Sequence, residues 1–234
     1  MDIKLKPGDN LYITFFASYL ALAGTTVITF LGSLGDFEDK NSKYLKYALI
    51  SETCVNIIAG LTYSYIMQLL TNGLNLNKIT PIRYIDWVLT TPLLLFSFVL
   101  YLSYLDNKNN KNIQESSFVI KEPDFSPLFY IIPLNFLMLL FGYLGETGMM
   151  DHKRALVYGF CAYIGLFASL YEAYIKDNSD QVAINLFVAF SLVWLLYGVT
   201  YLLDMKYKNI AYNILDIVSK AGFGVLIWGS SFDN

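Results

Sequence analysis

Two ionisable residues interrupt a long apolar run near the end of the chain. Asp216 and Lys220 lie four residues apart within the stretch 213–228, so a helix would place them on one face with the acid first, which is the favourable order. A lone charge near the centre of a bilayer costs at least about 3 kcal/mol, so such groups usually face a protein interior and pair. The stretch therefore holds either a structural ion pair or a desolvated lysine whose amine binds a carbonyl cofactor as a Schiff base.

A second set of polar residues lies in the third apolar segment, at offsets of 0, 3, 7 and 14. This spacing places a cation, an anion and two hydroxyl groups on one helical stripe: Arg83, Asp86, Thr90 and Ser97. With a protonated Schiff base on Lys220, the two cations would balance Asp86 and Asp216. A neutral cluster of this kind can be held inside a membrane, whereas the same charges without partners could not. The third segment thus favours the cofactor interpretation of Lys220.

The composition is that of a membrane protein. Of the 234 residues, 56% are hydrophobic and only 15% are charged, and the net charge of −3 gives no reason to expect a nucleic-acid partner. Because each membrane span needs about 20 mostly apolar residues, seven spans use up this length. We predict an all-α membrane protein with a single domain over residues 1–234. The predicted helices cover 10–33, 44–71, 80–105, 126–145, 151–175, 181–203 and 207–229, and the longest loop covers 106–124.

With these motifs in place, the chain resembles the microbial (type 1) rhodopsins, and more loosely the rhodopsins of large algal viruses. The motifs that carry the resemblance are Arg83-Tyr-x-Asp86-Trp87-x-x-Thr90-Thr91-Pro92 and Asp216-x-x-x-Lys220-x-x-Phe-Gly224. The resemblance implies a bundle of seven transmembrane helices around all-trans retinal, bound as a Schiff base to Lys220. It also implies an extracellular N-terminus, a homo-oligomer (trimer or pentamer), lipid and protons as partners, no metal and no enzymatic activity. Lysine and arginine are shared evenly between the two sides, so charge bias gives no orientation.

The resemblance also implies a role for each matching position. Asp86 corresponds to the primary counterion and proton acceptor, Asp216 to the second counterion, Arg83 to the exit gate and Thr90 to the hydrogen-bond partner of Asp86. The expected cofactor-binding residues are Lys220, Trp87, Thr91, Leu94, Trp194, Tyr197 and Tyr63, and the two tyrosines are expected to hydrogen-bond the second counterion. On their own, Trp194 and Tyr197 are more typical of ordinary packing in a membrane core. The helix F proline of the family is Gly198 here.

One departure bears on function. Family proton pumps usually carry a carboxylic acid where this chain has Ser97, and a hydroxyl group does not release its proton near neutral pH. Glu52 on the second helix is a candidate replacement donor, because burial in an apolar layer favours the neutral acid that a donor needs. Alternatively, Glu52 is solvated at the mouth of the bundle. On the other side of the membrane, Asp204 is a candidate release group, and His152 is expected to lie at the surface.

From the sequence we favour a light-driven outward proton pump. The alternative is a light-gated cation channel, which would need a continuous wet path lined by polar groups. The sequence offers a thin set for that path: Ser18, Glu52, Asn56 and Asn213. A photosensor acting through a separate transducer is the third possibility.

Overall fold

Seven long helices form the fold. A computed structural model describes residues 8–73, 75–113, 120–178 and 180–233, with only the backbone described at 111–113 and 233. Over these residues the structure is all-α, and seven helical segments are long and apolar enough to cross a membrane. The helices are α1 (Asn10–Ser33), α2 (Lys40–Thr71), α3 (Ile79–Ile113), α4 (Leu128–Glu146), α5 (His152–Tyr174), α6 (Gln181–Thr200) and α7 (Met205–Asp216). The predicted fold class is therefore confirmed.

The seventh span is not one regular helix. After α7 the chain passes through a π-helical stretch, Ile217–Gly222, and then continues as α8, Phe223–Gly229. Lys220 lies inside this stretch. A π-helical turn is wider than an α-helical one and is frequently found at functional sites. Sequence spacing alone predicted a regular helix here, because the apolar run continues through the stretch without a proline.

Two predicted boundaries were wrong. Helix α2 begins at Lys40 instead of residue 44, because the Asp39 carboxylate accepts hydrogen bonds from the backbone N–H groups of Asn41 and Ser42 and so caps the helix earlier. Helix α3 continues to Ile113, well into the stretch 106–124 that was expected to be a loop. The Asn107 side chain there bonds both backbone groups of Lys121. The part of that predicted loop at 114–119 lies outside the described residues.

The helices pack in chain order around a closed ring. Each helix contacts its neighbours, and α1 closes the ring by packing on both α7 and α8. We call the end where α1 begins the N-terminal side and the end where α2 begins the opposite side. The buried stripe of α1 is unusual for a membrane helix because most of its members carry hydroxyl groups: Leu11, Phe15, Ser18, Leu22, Thr25, Thr29 and Ser33. This stripe faces the interior of the bundle, beside the ion cluster described next.

Candidate functional site

The amine of Lys220 lies between two buried carboxylates. Its Nζ atom donates a hydrogen bond of 2.5 Å to Oδ2 of Asp86 and lies 3.4 Å from Oδ1 of Asp216. All three side chains are buried. Two acids beside one amine can neutralise a cation held at this nitrogen, and they do so inside an apolar bundle where an unpaired charge would be costly.

Two tyrosines hold Asp216 in place. The hydroxyl group of Tyr63 on α2 donates to Oδ2 at 2.8 Å, and that of Tyr197 on α6 donates to Oδ1 at 2.7 Å. Nη1 of Arg83 lies 3.4 Å from the same Oδ2. The Asp216 carboxylate therefore faces three donor groups, one from each of three helices. By contrast, Oδ1 of Asp86 is buried without a hydrogen-bond partner among the described residues, which leaves it free to accept a proton.

Arg83 joins α3 to the seventh span through two asparagines. Its Nε atom donates to Oδ1 of Asn209 at 3.1 Å, and Nη2 donates to Oδ1 of Asn213. Sequence reasoning did not assign these partners to Arg83. A signal was present, because Asn209, Asn213, Asp216 and Lys220 recur at steps of four, three and four, as one helical face requires.

The structure places two further predicted site residues. Thr90 is a hydrogen-bond partner of Asp86, as expected, because its hydroxyl group donates to the main-chain oxygen of Asp86 at 2.9 Å. The acceptor is the main chain because a threonine within a helix readily bonds the carbonyl four residues before it. Tyr63 was expected to bind the cofactor, but it lies in the hydrogen-bond network of Asp216 and does not line the cavity described below.

An aromatic cavity opens beside Lys220. Its walls include every other residue that was predicted to bind the cofactor: Trp87, Thr91, Leu94, Trp194, Tyr197 and Lys220. The cavity runs from Lys220 toward α4 and α5, where Gly142, Gly159 and Phe160 line it. A side-chain carbon added to Gly142 would come within 2.6 Å of the Tyr84 hydroxyl oxygen, so any larger residue there would require the Tyr84 ring to shift. A long, apolar, planar group joined to the Lys220 amine fits this shape and this chemistry.

One contact at the cavity wall was not anticipated. Nδ2 of Asn135, on α4, donates to the Thr91 hydroxyl oxygen at 2.8 Å. Asn135 is fully buried and ties α4 to α3 behind the cavity. The sequence alone offers little indication of this contact, because a single asparagine in an apolar run reveals neither its depth nor its partner.

Glu52 lies inside the bundle and not at its mouth. The residue is fully buried on α2, and the hydroxyl group of Ser97 on α3 donates to its Oε1 atom. The other oxygen, Oε2, is buried without a hydrogen-bond partner among the described residues. The acid on α2 and the hydroxyl group on α3 thus form a pair on the opposite side of the bundle from Arg83.

On the N-terminal side, the acid that was predicted as a candidate release group is exposed, and another acid that was not predicted is buried. Asp204 is exposed in the α6–α7 connection, and His152 is exposed, as expected, with its ring stacked on that of Tyr201. A buried carboxylate on this side belongs to Glu146, whose side chain is only 3% exposed, and sequence reasoning missed it. Its position at the end of α4 is typical of a solvated loop acid, and only the fold brings Lys208 to within 2.6 Å of it.

The fold and this site define a seven-helix membrane protein built around a buried lysine and its counterions. Comparison with known proteins agrees: residues 10–234 match the family model of bacteriorhodopsin-like proteins, and the chain belongs to that family. Its members are retinal proteins, which implies a retinal chromophore here, and the seven apolar helices make this an integral, multi-pass membrane protein.

Similar proteins cover nearly the whole chain. The green-light absorbing proteorhodopsin of Gamma-proteobacterium EBAC31A08 is 26% identical over 240 residues, which are 96% of this chain and 87% of that protein. The crystal structure of viral rhodopsin OLPVRII is 30% identical, with a TM-score of 0.77, and the match covers 94% of this chain and 97% of that one. The blue light-absorbing proteorhodopsin from Med12 has a TM-score of 0.74 at 21% identity, which shows the shared fold; that match covers 96% of this chain and 98% of that one.

Proposed function

We propose that the protein is a light-gated cation channel whose path lies between α1, α2, α3 and the seventh span. The observation that supports this is a column of buried polar side chains along these helices. The sequence offered four such residues; the fold adds hydroxyl groups and amides that face the same interior. The buried members of the column are Ser18, Thr25, Thr29, Glu52, Thr53, Asn56, Arg83, Ser97, Asn209 and Asn213, and half-buried Thr14 lies at its N-terminal end.

The half of the column on the N-terminal side is closed by Arg83. Asn213 donates through Nδ2 to the Thr14 hydroxyl oxygen at 2.9 Å, and the Ser18 hydroxyl donates to the main-chain oxygen of Asn213 at 2.9 Å. Since Arg83 also bonds Asn209 and Asn213, it ties α3 to α7 across the column. These bonds close the polar column on the N-terminal side, and they are the first of two places where side-chain contacts close it.

The other half is closed by the Glu52–Ser97 pair. Thr53 on α2 donates to the Thr29 hydroxyl oxygen on α1 at 2.9 Å, so hydroxyl groups from two helices meet here. A side-chain carbon added to Gly224 would come within 2.8 Å of Thr25 and 3.3 Å of Asn56, so glycine keeps this part of the column open to its polar groups. Oε2 of Glu52 and Oδ1 of Asn56 are buried without hydrogen-bond partners among the residues that the structure describes, and such oxygens can accept from water or face a hydrated cation.

The ion cluster lies between the two closures and supplies the response to light. Retinal held by Lys220 would supply light absorption and a change of geometry at the Lys220 nitrogen. Asp86, which accepts from that nitrogen at 2.5 Å, is positioned to take its proton. The loss of this ion pair changes the field at Arg83, which is held by the carboxylate of Asp216, and so loosens the closure on the N-terminal side. Carboxyl, hydroxyl and amide oxygens along the path favour cations over anions.

A measurement of photocurrent against membrane voltage tests the proposal. A channel passes current that reverses near the equilibrium potential of the permeant cation and shifts when that cation is replaced outside. Thr29→Val removes a column hydroxyl while keeping the size of the side chain, and we expect it to reduce the current. Thr26→Val is the matched control, because Thr26 is only half-buried and bonds its own helix at Leu22. A parent current that stays outward at zero driving force would refute the channel.

The second candidate is the outward proton pump, which the Glu52–Ser97 pair favours. A buried acid held by a hydroxyl group between the opposite side and Lys220 is positioned to return a proton to the Lys220 nitrogen. Asp86 would again accept the first proton, and Arg83 would lie on its exit path. A pump gives a current without reversal, and a photosensor gives almost none, so the same measurement separates all three.

By analogy with the family, we further propose that Lys220 carries all-trans retinal covalently, that the N-terminus is extracellular and that the chain forms a homo-oligomer. Under this orientation the closure at Arg83 faces outward and the Glu52–Ser97 pair faces the cytoplasm. Reduction of the pigment with borohydride followed by peptide mass analysis tests the linkage: retinal found on any residue other than Lys220 would overturn it.

A further inference from the structure

A buried ion pair on the N-terminal side has no part in the light reaction described above. Nζ of Lys208, in the first turn of α7, lies 2.6 Å from Oε1 of Glu146, the last residue of α4. The two side chains are only 5% and 3% exposed. A buried pair is costly to break from one side, because the remaining charge is left without compensation. The pair therefore fastens the start of α7 firmly to the end of α4.

The next residue along α7 belongs to the closure on the N-terminal side. Asn209 accepts from Nε of Arg83 at 3.1 Å and donates to the Thr80 hydroxyl oxygen at 3.2 Å, both on α3. Lys208 and Asn209 are consecutive, so one turn of α7 is held on two sides, by α4 through the first residue and by α3 through the second. A shift of this turn away from α4 would carry Asn209 away from Arg83.

An aromatic pair restricts the position of Lys208 further. Its Nζ lies 5.1 Å from the centre of the Tyr201 ring, a cation–π distance, and the same ring stacks on His152 at 4.1 Å. Tyr201 is itself buried against α4, since a side-chain carbon on Gly145 would meet its hydroxyl oxygen at 1.9 Å. The Lys208 side chain thus has contacts that keep it directed at Glu146.

We infer that Glu146 and Lys208 are positioning residues for the closure on the N-terminal side. Their ion pair holds α7 in the position from which Asn209 bonds Arg83, so that Arg83 stays across the polar column. This inference rests on the proposed channel. The pair acts through Asn209 and does not touch the cofactor cavity or the ion. This contact between α4 and α7 therefore has a gating role, although it lies outside the ion cluster.

The test is a double-mutant cycle on the rate at which the photocurrent closes. Glu146→Gln keeps the size of the side chain but removes its charge. If α7 then shifts and the hydrogen bond between Asn209 and Arg83 is lost, a contribution of about 1 kcal/mol from that bond would slow closing about fivefold. Asn209→Ala should slow closing to a similar degree. If the pair acts through Asn209, the double variant closes no more slowly than Asn209→Ala alone. Glu172→Gln, which breaks the exposed Lys176–Glu172 pair, is the matched control and should leave the rate unchanged.

Independent effects of Glu146→Gln and Asn209→Ala that multiply in the double variant would overturn the inference. If Glu146→Gln forms no coloured pigment, the charge-swapped variant Glu146→Lys with Lys208→Glu takes its place. That variant should close at the parental rate, and slow closing would again overturn the inference. Failure of the channel proposal is seen separately, as a parental current without reversal. If the current shows no reversal, the same double-mutant cycle is measured on the rate at which the dark absorption spectrum recovers after a flash. A double variant no slower than Asn209→Ala would support the inference, and effects that multiply would overturn it.

Discussion

Replacement of Glu52 by glutamine is the sharpest test of how this chain handles protons and cations. In the structure Oε1 of Glu52 accepts from Ser97, while Oε2 is buried without a partner among the described residues. Glutamine keeps an oxygen for the Ser97 hydroxyl and places an amide where Oε2 was, so the side chain keeps its size and its bond to α3. The variant should therefore fold and bind retinal. What it loses is the one titratable proton of this pair.

The expected size of the effect follows from that loss. A positioned acid speeds proton transfer by about 10²–10⁴-fold, so removal of a true donor should slow return of the proton to the Lys220 nitrogen by at least about tenfold. The decay should also become dependent on pH, because the proton must then come from bulk water. If Glu52 instead serves only the conduction path, the decay should stay unchanged while the cation current falls, since a carboxyl group has been removed from a buried constriction.

Flash photolysis and photocurrent recordings on the same variants separate these outcomes. Ser97→Ala is the matched control, because it removes the hydrogen bond to Glu52 but keeps the acid; its effect on the decay should be smaller than that of Glu52→Gln. Ser97→Asp added to Glu52→Gln should restore part of the speed by returning an acid to α3. A Glu52→Gln variant with both the parental decay at every pH and the parental current would refute any role for this residue.

Three further predictions concern the chromophore. Lys220→Ala should abolish the visible absorption band of protein made in the presence of all-trans retinal, because no other amine lines the cavity among the described residues; a surviving visible band would remove the basis of the assignment. Asp86→Asn removes the carboxylate 2.5 Å from the Lys220 nitrogen, so at neutral pH its absorption should lie to the red of the parent, as the parent's should in acid, and its photocurrent should vanish; a retained photocurrent would contradict the acceptor role. Leu94 in the cavity wall predicts green absorption and Leu94→Gln a shift to the blue, measured by absorption spectroscopy, because a polar group there stabilises positive charge at the nitrogen in the dark state; an unshifted spectrum would show that another residue controls the colour.

The linear spacing of charged and apolar residues determined most of the fold and the centre of the site. Seven apolar runs of membrane length predict seven helices, because nothing else in a bilayer satisfies the backbone of such segments. Helical periodicity also placed Asp216 beside Lys220, and Arg83, Asp86, Thr90 and Ser97 on one stripe, since both follow from residue offsets within a single helix. The structure places these residues where their spacing requires.

Contacts between helices were decided only by the tertiary structure. The sequence left Glu52 either buried or solvated, and packing of α2 against α3 brought it to Ser97 inside the bundle. Glu146 and Lys208 lie 62 residues apart, and no local pattern relates them. The hydroxyl stripe of α1 could equally have faced lipid until α2 and the seventh span covered it. Spacing within a helix fixes which residues share a face, but only the packing of all seven helices fixes which faces meet, because each meeting depends on side chains distant along the chain.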